Sequence, residues 1–268
     1  MTVDERLNIE LLKAFKKVKL NNLKNIYITS NLSSLGKIKI EKLKKLEIIE
    51  KTLKQVLHKE SSIFTPAASM NLCNTSHVYD PDVTPSHGMG PLSEYFRKKK
   101  NAVRSFHPFW SICCNGKNKH MLKKVSRHAY GVGSPWSKML ELNTMQLNLG
   151  INPERAVTLV HHLETVVGVP YRFHKEFYHP IKIKKNIKVE NFYLSTRFKR
   201  LKIEKKKKLN KHFFDTLREQ KQINYTKTNF GLEMWSFKMI DFYNVALKFF
   251  IDDIYNYLER PIKIKLDI

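Results

Sequence analysis

Cysteine is scarce: Cys73, Cys113 and Cys114 are the only three in 268 residues. An odd, low count without framework spacing argues against a disulfide-built secreted domain. Cys113 and Cys114 are adjacent and cannot form an ordinary structural bridge to one another, and no Cys-x-x-Cys occurs. The expected role of all three is that of small buried residues. No stretch approaches the roughly 20 apolar residues that span a bilayer. Residues 1–14 carry no uninterrupted apolar run and no small-residue cleavage site, so no signal peptide is read and the expected location is the cytoplasm. The most apolar late segment, 239–257, is broken by Asp241, Asn244, Lys248, Asp252 and Asp253. It reads as an amphipathic helix packed on a core. Internal repeats are absent.

Acidic residues are also few: 24 Asp and Glu face 49 Lys and Arg, a net charge of +25. Three readings compete: phosphate contacts to nucleic acid, attraction of other anions such as coenzyme A or a nucleotide-linked sugar, and a lysine-biased composition without function. The runs are lysine runs, Lys98–Lys100 and Lys205–Lys208. Arginine is the better residue for bidentate phosphate or base readout. No nucleic-acid motif is present and aromatics are not interleaved with the runs, so a nucleic-acid-binding protein is the disfavoured rival class.

What is present suits a folded α/β protein. Hydrophobic residues make up 42% of the chain, ordinary for a globular protein, and a chain of this length buries roughly 70–75% of its unfolded surface. Apolar spacing predicts helices over 8–18 and 40–58. Short β-rich apolar runs predict strands at 25–29 and 61–66, the second stopped by Pro66. Residues 67–91 read as a long loop punctuated by Asp-Pro, Thr-Pro, His-Gly and Gly-Pro; loops of that length in compact domains are usually functional. A helix at 92–99, strand or loop at 101–105, a strand at 109–114, a helix at 119–128, a glycine-proline loop at 130–136, a helix from 137 and a strand at 144–149 follow. Asn152 as N-cap and Pro153 in the first turn open a helix running to about 166. The alternation predicts a three-layer α/β/α fold with a central mixed β-sheet. From residue 181 the composition shifts. Residues 181–189 alternate apolar and basic and predict a strand with one solvated face, and 204–222 predict a basic helix. The reading is one domain, 1–268.

Several constellations carry chemistry. His161 and Glu164 stand at i and i+3 and share a helix face. A carboxylate beside an imidazole raises its basicity and fixes its tautomer, and histidine titrates near neutrality. The ordinary alternative is a surface pair, and His162 competes for the role. A metal site is disfavoured, because the spacing is not His-Glu-x-x-His and no cysteine pair helps. The Ser30–Gly36 turn offers hydroxyls and N–H groups of the kind that cradle phosphate or a carbonyl oxygen. Gly131-x-Gly133-Ser134-Pro135 lacks the third glycine of a dinucleotide fingerprint.

Taken in order, Ser30-x-Leu32-Ser33-Ser34-Leu35-Gly36, Tyr79-Asp80-Pro81, Thr84-Pro85-Ser86, Met89-Gly90, Arg104-Ser105-x-His107-Pro108-x-x-Ser111, Gly131-x-Gly133-Ser134-Pro135 and Thr158-x-x-His161-x-x-Glu164 resemble the aminoglycoside 3-N-acetyltransferase family. The resemblance is clear over 26–172 and faint over 181–268, the divergent C-terminal part. It implies an N-acyltransferase that uses acetyl-CoA or another acyl-CoA, no metal, and an amine-bearing sugar or aminocyclitol, with a homodimer as candidate assembly. It implies His161 as general base, Glu164 as its partner and His107 as the second candidate base. It puts Ser30, Leu32, Ser33, Ser34, Gly36, Ser105, His107, Ser111, Gly133 and Ser134 near the cofactor. Asp80, Thr84, Ser86 and Met89 would border the acceptor, Asp80 holding an ammonium or hydroxyl. The amine would attack directly, since neither Cys113 nor Cys114 stands in a matched motif beside a base. A strongly cationic chain favours an anionic acceptor over a polycation, so a nucleotide-linked amino sugar of a surface-glycan pathway stands beside the aminoglycoside. A family member that lost activity is disfavoured by the intact Thr-x-x-His-x-x-Glu segment.

Overall fold

A computed structural model of the chain describes residues 1–198 and 210–258. Seven strands form the central sheet: β1 (Asn25–Ser30), β2 (Ser62–Pro66), β3 (Val103–Arg104), β4 (Ile112–Gly116), β5 (Met145–Leu149), β8 (Ile223–Lys227) and β9 (Glu233–Lys238). Their spatial order is β3-β4-β2-β1-β5-β9-β8. β1 runs parallel to both β2 and β5, and the outer pairings are antiparallel. The sheet is therefore mixed, as the alternation of elements predicts.

Period-2 alternation sorts the strand residues into two layers. Ile26 and Ile28 face a core with Leu7, Leu11 and Phe15 of α1 (Val3–Lys17) and Ile49 and Leu53 of α2 (Lys42–Val56). Leu92 and Phe96 of α3 (Pro91–Arg97) join it. Tyr27 and Phe64 face the opposite core. That core is built by α4 (Pro135–Glu141), α5 (Leu159–Val167), α6 (Lys211–Glu219) and α7 (Met239–Asp252). The three layers are those expected. The C-terminal part completes them: β9 pairs with β5 along its whole length.

Five local expectations are corrected. α1 starts earlier than residue 8, because Thr2 and Glu5 form a capping box that satisfies two orphan N–H groups. The helix expected at 119–128 is a 3-10 segment, Lys117–Lys124. The helix expected from 154 to 166 is broken. Asn152 does cap Glu154 N at 2.8 Å, but that turn ends at Arg155, and Ala156 takes an extended φ of −137° before α5 begins. The strand at 181–189 is a hairpin: β6 (Arg172–Ile183) turns at Lys184-Lys185 into β7 (Asn186–Arg197). Of the basic helix expected at 204–222, the part from Lys211 is observed as α6. Lys205–Lys208 lie outside the described residues.

Strand order reverses about β1: the crossover through α2 leads to β2 on one side, and β5 returns on the other. Ligand crevices in α/β sheets open at such switch points, beyond the carboxyl ends of the strands. Here the ends of β1 and β5 are locked together. Asn31 N donates to Leu149 O at 2.7 Å. Gly150 has φ +68°, and a Cβ there would lie 2.0 Å from Asn31 O. Both the backbone conformation and the close approach require glycine. Gly150→Ala is expected to cost at least about 2 kcal/mol of unfolding free energy, combining left-handed strain with a displaced loop. Urea unfolding checks this; an unchanged midpoint contradicts it.

Candidate active site

The crevice at the switch point is a cleft of about 520 Å³ lined by Ser30–Ser33, Leu35, Gly36, Lys42, Lys45, Leu46, Gly88, Gly90, Pro91 and Ile151. The loop after β1 supplies one wall. Asn31 Oδ1 accepts from Ser33 N at 3.1 Å, and a 3-10 turn spans Ser33–Lys37. The side-chain oxygens of Ser30 and Ser34 are buried with no hydrogen-bond partner among the described residues. α2 points its N-terminus at this wall, and Glu41 gives it no side-chain cap. A helix N-terminus, a serine turn and two lysines make a site suited to phosphate. The sequence reading found the serine turn and missed Lys42 and Lys45, which the α2 crossover brings beside it.

Opposite, the long loop 67–91 presents Gly88 and Gly90 to the cleft. Its shape depends on buried Arg104. Nε donates to Ser111 Oγ at 2.9 Å and Nη2 to Ser69 Oγ at 2.8 Å; the guanidinium also donates to the carbonyls of Ala67 and Thr84 and covers the Tyr79 ring. A second fastening is Glu94. It accepts from Ser86 N and Oγ at 3.2 and 2.9 Å and pairs with Arg97 at 2.6 Å. Burial pushes its carboxyl up, but the Arg97 and Ser86 donors outweigh that and hold it down at about 2. Thr84 Oγ1 accepts from Asp80 N at 2.8 Å, and Asp80 pairs with Lys182 at 2.8 Å. Of the expected acceptor residues, Asp80, Thr84 and Ser86 thus fasten the loop, and Met89 lies half-buried between the two cleft glycines.

Several of the residues expected near the cofactor are buried and hydrogen-bonded within the protein. Ser105, Ser111 and Ser134 are fully buried. Ser105 Oγ accepts from Ile112 N, Ser111 Oγ donates to Ala67 O, and Ser134 caps α4. His107 is buried with both ring nitrogens engaged: Nδ1 accepts from Trp110 N and Nε2 donates to Tyr193 O, each at 3.2 Å. Burial lowers it to about 4. His162 points into the core, where Nδ1 accepts from Gly131 N at 3.2 Å. It fixes the Gly131–Pro135 loop against α5, and burial lowers it also to about 4.

His161, one residue earlier, faces the other way. Its Nδ1 lies 2.7 Å from Glu164 Oε2, and the imidazole is 28% exposed while the carboxylate is sealed off. α5 ends at Gly168 in the left-handed region, with φ 69°. The chain turns back there and starts β6 at Arg172. That places Arg172 Nε 2.8 Å from the same Glu164 oxygen, and Arg172 Nη2 3.0 Å from His161 Nδ1. Nothing in the sequence pattern assigns Arg172 a part in the pair. Burial of Glu164 would raise its pKa, yet His161 and Arg172 together hold it below the usual range. Nδ1 cannot both donate to Glu164 and accept from Arg172. The shorter contact to an anion decides for donation, so Nε2 carries the ring's basic lone pair.

Among the described residues no group of three or more His, Cys, Asp or Glu could hold a metal ion, and no helix is long and apolar enough to cross a membrane. The sequence family described as Aminoglycoside 3-N-acetyltransferase matches residues 28–250. The chain belongs to that family. Among curated aminoglycoside 3-N-acetyltransferases, aminoglycoside N(3)-acetyltransferase VII of Streptomyces paromomycinus is 31% identical over 109 residues. That match spans 39% of this chain and 37% of the relative's length. Solved structures share the fold. The aminoglycoside acetyltransferase AAC(3)-Xa has a TM-score of 0.76 at 15% identity, over 92% of this chain and 96% of that one. AAC-IIIb, solved as a binary complex with CoASH, has 0.76 at 16%, over 95% and 98%. YokD from Bacillus subtilis has 0.75 at 20%, over 92% and 94%.

Two expectations follow. Glu164→Gln leaves the buried Arg172 without its counter-charge and should cost about 3 kcal/mol at pH 7. A depressed carboxyl stabilises the fold above its unfolded pKa and loses that contribution as pH falls through the folded value. The penalty should therefore hold at pH 7 and shrink only below about pH 4.3; urea titrations of both proteins at pH 7 and pH 3.5 check it. His107 and His162 act in a separate window. The unfolded chain takes up their protons near pH 6.5 and the folded one near 4, so stability is full above pH 6.5 and falls toward pH 4. The loss is roughly 3 kcal/mol per histidine at the bottom. A flat stability profile between pH 6.5 and 4.5 contradicts the buried neutral assignment.

Proposed function

We propose that the protein is an acetyl-CoA-dependent N-acetyltransferase acting on an amine of an aminoglycoside or amino sugar, with His161 as general base. The observation that carries this reading is the 2.7 Å contact between His161 Nδ1 and the buried Glu164 carboxylate, on a family member whose serine turn, helix N-terminus and paired lysines suit a pyrophosphate. Lys42, Lys45 and the α2 N-terminus would hold the coenzyme phosphates. N–H donors of the Ser33–Lys37 turn would polarise the thioester carbonyl. Glu164, itself held by Arg172, keeps Nδ1 protonated and aims Nε2 at the acceptor. The amine nitrogen adds to the thioester carbon while its proton passes to Nε2. The C–S bond then breaks, the thiolate leaves, and the imidazolium returns the proton to it. Cys113 and Cys114 are buried, and burial raises both thiols, so neither serves as an acyl carrier. We take residues 1–268 as one catalytic unit working in the cytoplasm.

One observation favours a second acceptor class. A polycationic aminoglycoside needs carboxylates without cations of their own. Near the expected acceptor loop, Asp80 is matched by Lys182 and Glu94 by Arg97, which leaves Asp82 as the exposed carboxylate between them. A nucleotide-linked amino sugar meets no such shortage.

His161→Ala should lower turnover roughly 10²–10⁴-fold with coenzyme A affinity little changed. An unaltered rate would remove His161 from the base role. Thiol release from acetyl-CoA, measured with an aminoglycoside, with nucleotide-linked amino sugars and without acceptor, separates the two acceptor classes. Absence of coenzyme binding would overturn the reading.

A further inference from the structure

The β6–β7 hairpin has an outer face that the acetyltransferase reading does not use. Its register pairs Ile183 with Asn186, Ile181 with Lys188 and Pro180 with Val189. Because the two-residue turn at Lys184-Lys185 pairs odd with even positions, Ile181 and Phe192 share one face of the hairpin, and Tyr178, Pro180, Ile187 and Val189 share the other. Ile181 and Phe192 point inward and are buried. Val189 and Ile187 point outward beside Pro180 and Tyr178. Tyr178 is 70% exposed, Val189 66% and Ile187 61%. Aliphatic side chains so bare, clustered on one strand pair, mark an interaction surface.

The surroundings narrow the partner. Lys184 and Lys185 form the exposed tip; Lys182 stands cross-strand from Ile187 and is paired with Asp80, and Lys188 projects to the other face beside Ile181. A second copy would bring the same lysines together in a chain of net charge +25. Nucleic acid is read on aromatic stacking platforms, and the exposed patch offers Tyr178 among aliphatics, while Tyr193 and His174 on the same face already pack against His128. A basic tip beside an aliphatic and tyrosine patch matches the interface of an anionic bilayer, where lysines meet headgroups and the apolar patch enters the acyl boundary.

We propose that the outer face of the β6–β7 hairpin docks the protein on an anionic lipid surface. The test is co-sedimentation of the full chain with vesicles of phosphatidylcholine, with and without phosphatidylglycerol. Binding is expected only to the anionic vesicles, weakening with salt. Lys184→Ala with Lys185→Ala should weaken it, at roughly 5-fold per lysine removed. Ile187→Asp with Val189→Asp should abolish it. Both pairs lie on exposed positions, and unchanged melting curves will show that the fold is intact. Four results would overturn the proposal: no vesicle binding, equal binding to neutral vesicles, binding retained by the Ile187/Val189 variant, or this variant losing DNA binding or dimerisation in place of vesicle binding.

Discussion

A carboxylate sealed from water must be matched or neutralised, and the His161–Glu164–Arg172 cluster is organised around that constraint. Glu164 is 1% exposed. Left alone it would take up a proton. Two donors prevent this, and they arrive by different routes. His161 is one helical turn earlier on α5. Arg172 comes from the strand that follows, returned by the left-handed turn at Gly168. Arg172 Nη1 is in turn held by Ser195 O on β7 at 3.1 Å. The imidazole is thus oriented by a charge that is itself fixed by the sheet, which is how a half-exposed ring gains a defined direction.

The same economy of burial divides the motif residues into two groups. In the Arg104–Ser111 string, Arg104 and Ser111 fasten the long loop, while Ser105 and His107 bond to the backbone of Ile112, Trp110 and Tyr193. His161 and His162 illustrate the division at adjacent positions. One is partly exposed and is held by the buried Glu164; the other is desolvated, stays neutral and pins a glycine loop. Only the orientation of α5 distinguishes them, and that orientation is set by Leu159, Val160 and Leu163 in the core.

What the sequence made legible follows from this. β1, β2 and β5 could be read within a residue or two, since buried parallel strands are short apolar runs between turn residues. The His161–Glu164 pair was visible because i and i+3 share a face whatever the tertiary structure. Arg172 was invisible as its partner, because no periodicity links residues across a turn. Lys42 and Lys45 looked like solvated helix positions until the crossover placed them by the serine turn. The break at Ala156 escaped because an N-cap signal marks where a helix begins and says little about how far it runs. The 181–189 pattern misled for a geometric reason: a continuous alternation crosses a two-residue turn and changes face.

The central claim is that Glu164 holds His161 with Nδ1 protonated and Nε2 as the base. The ¹⁵N chemical shifts of the two imidazole nitrogens, recorded above the titration of the ring and assigned with a His161 variant, test it directly. The account predicts a protonated Nδ1 and an unprotonated Nε2. The reverse tautomer, with Nδ1 accepting from Arg172 and Nε2 carrying the proton, would contradict it.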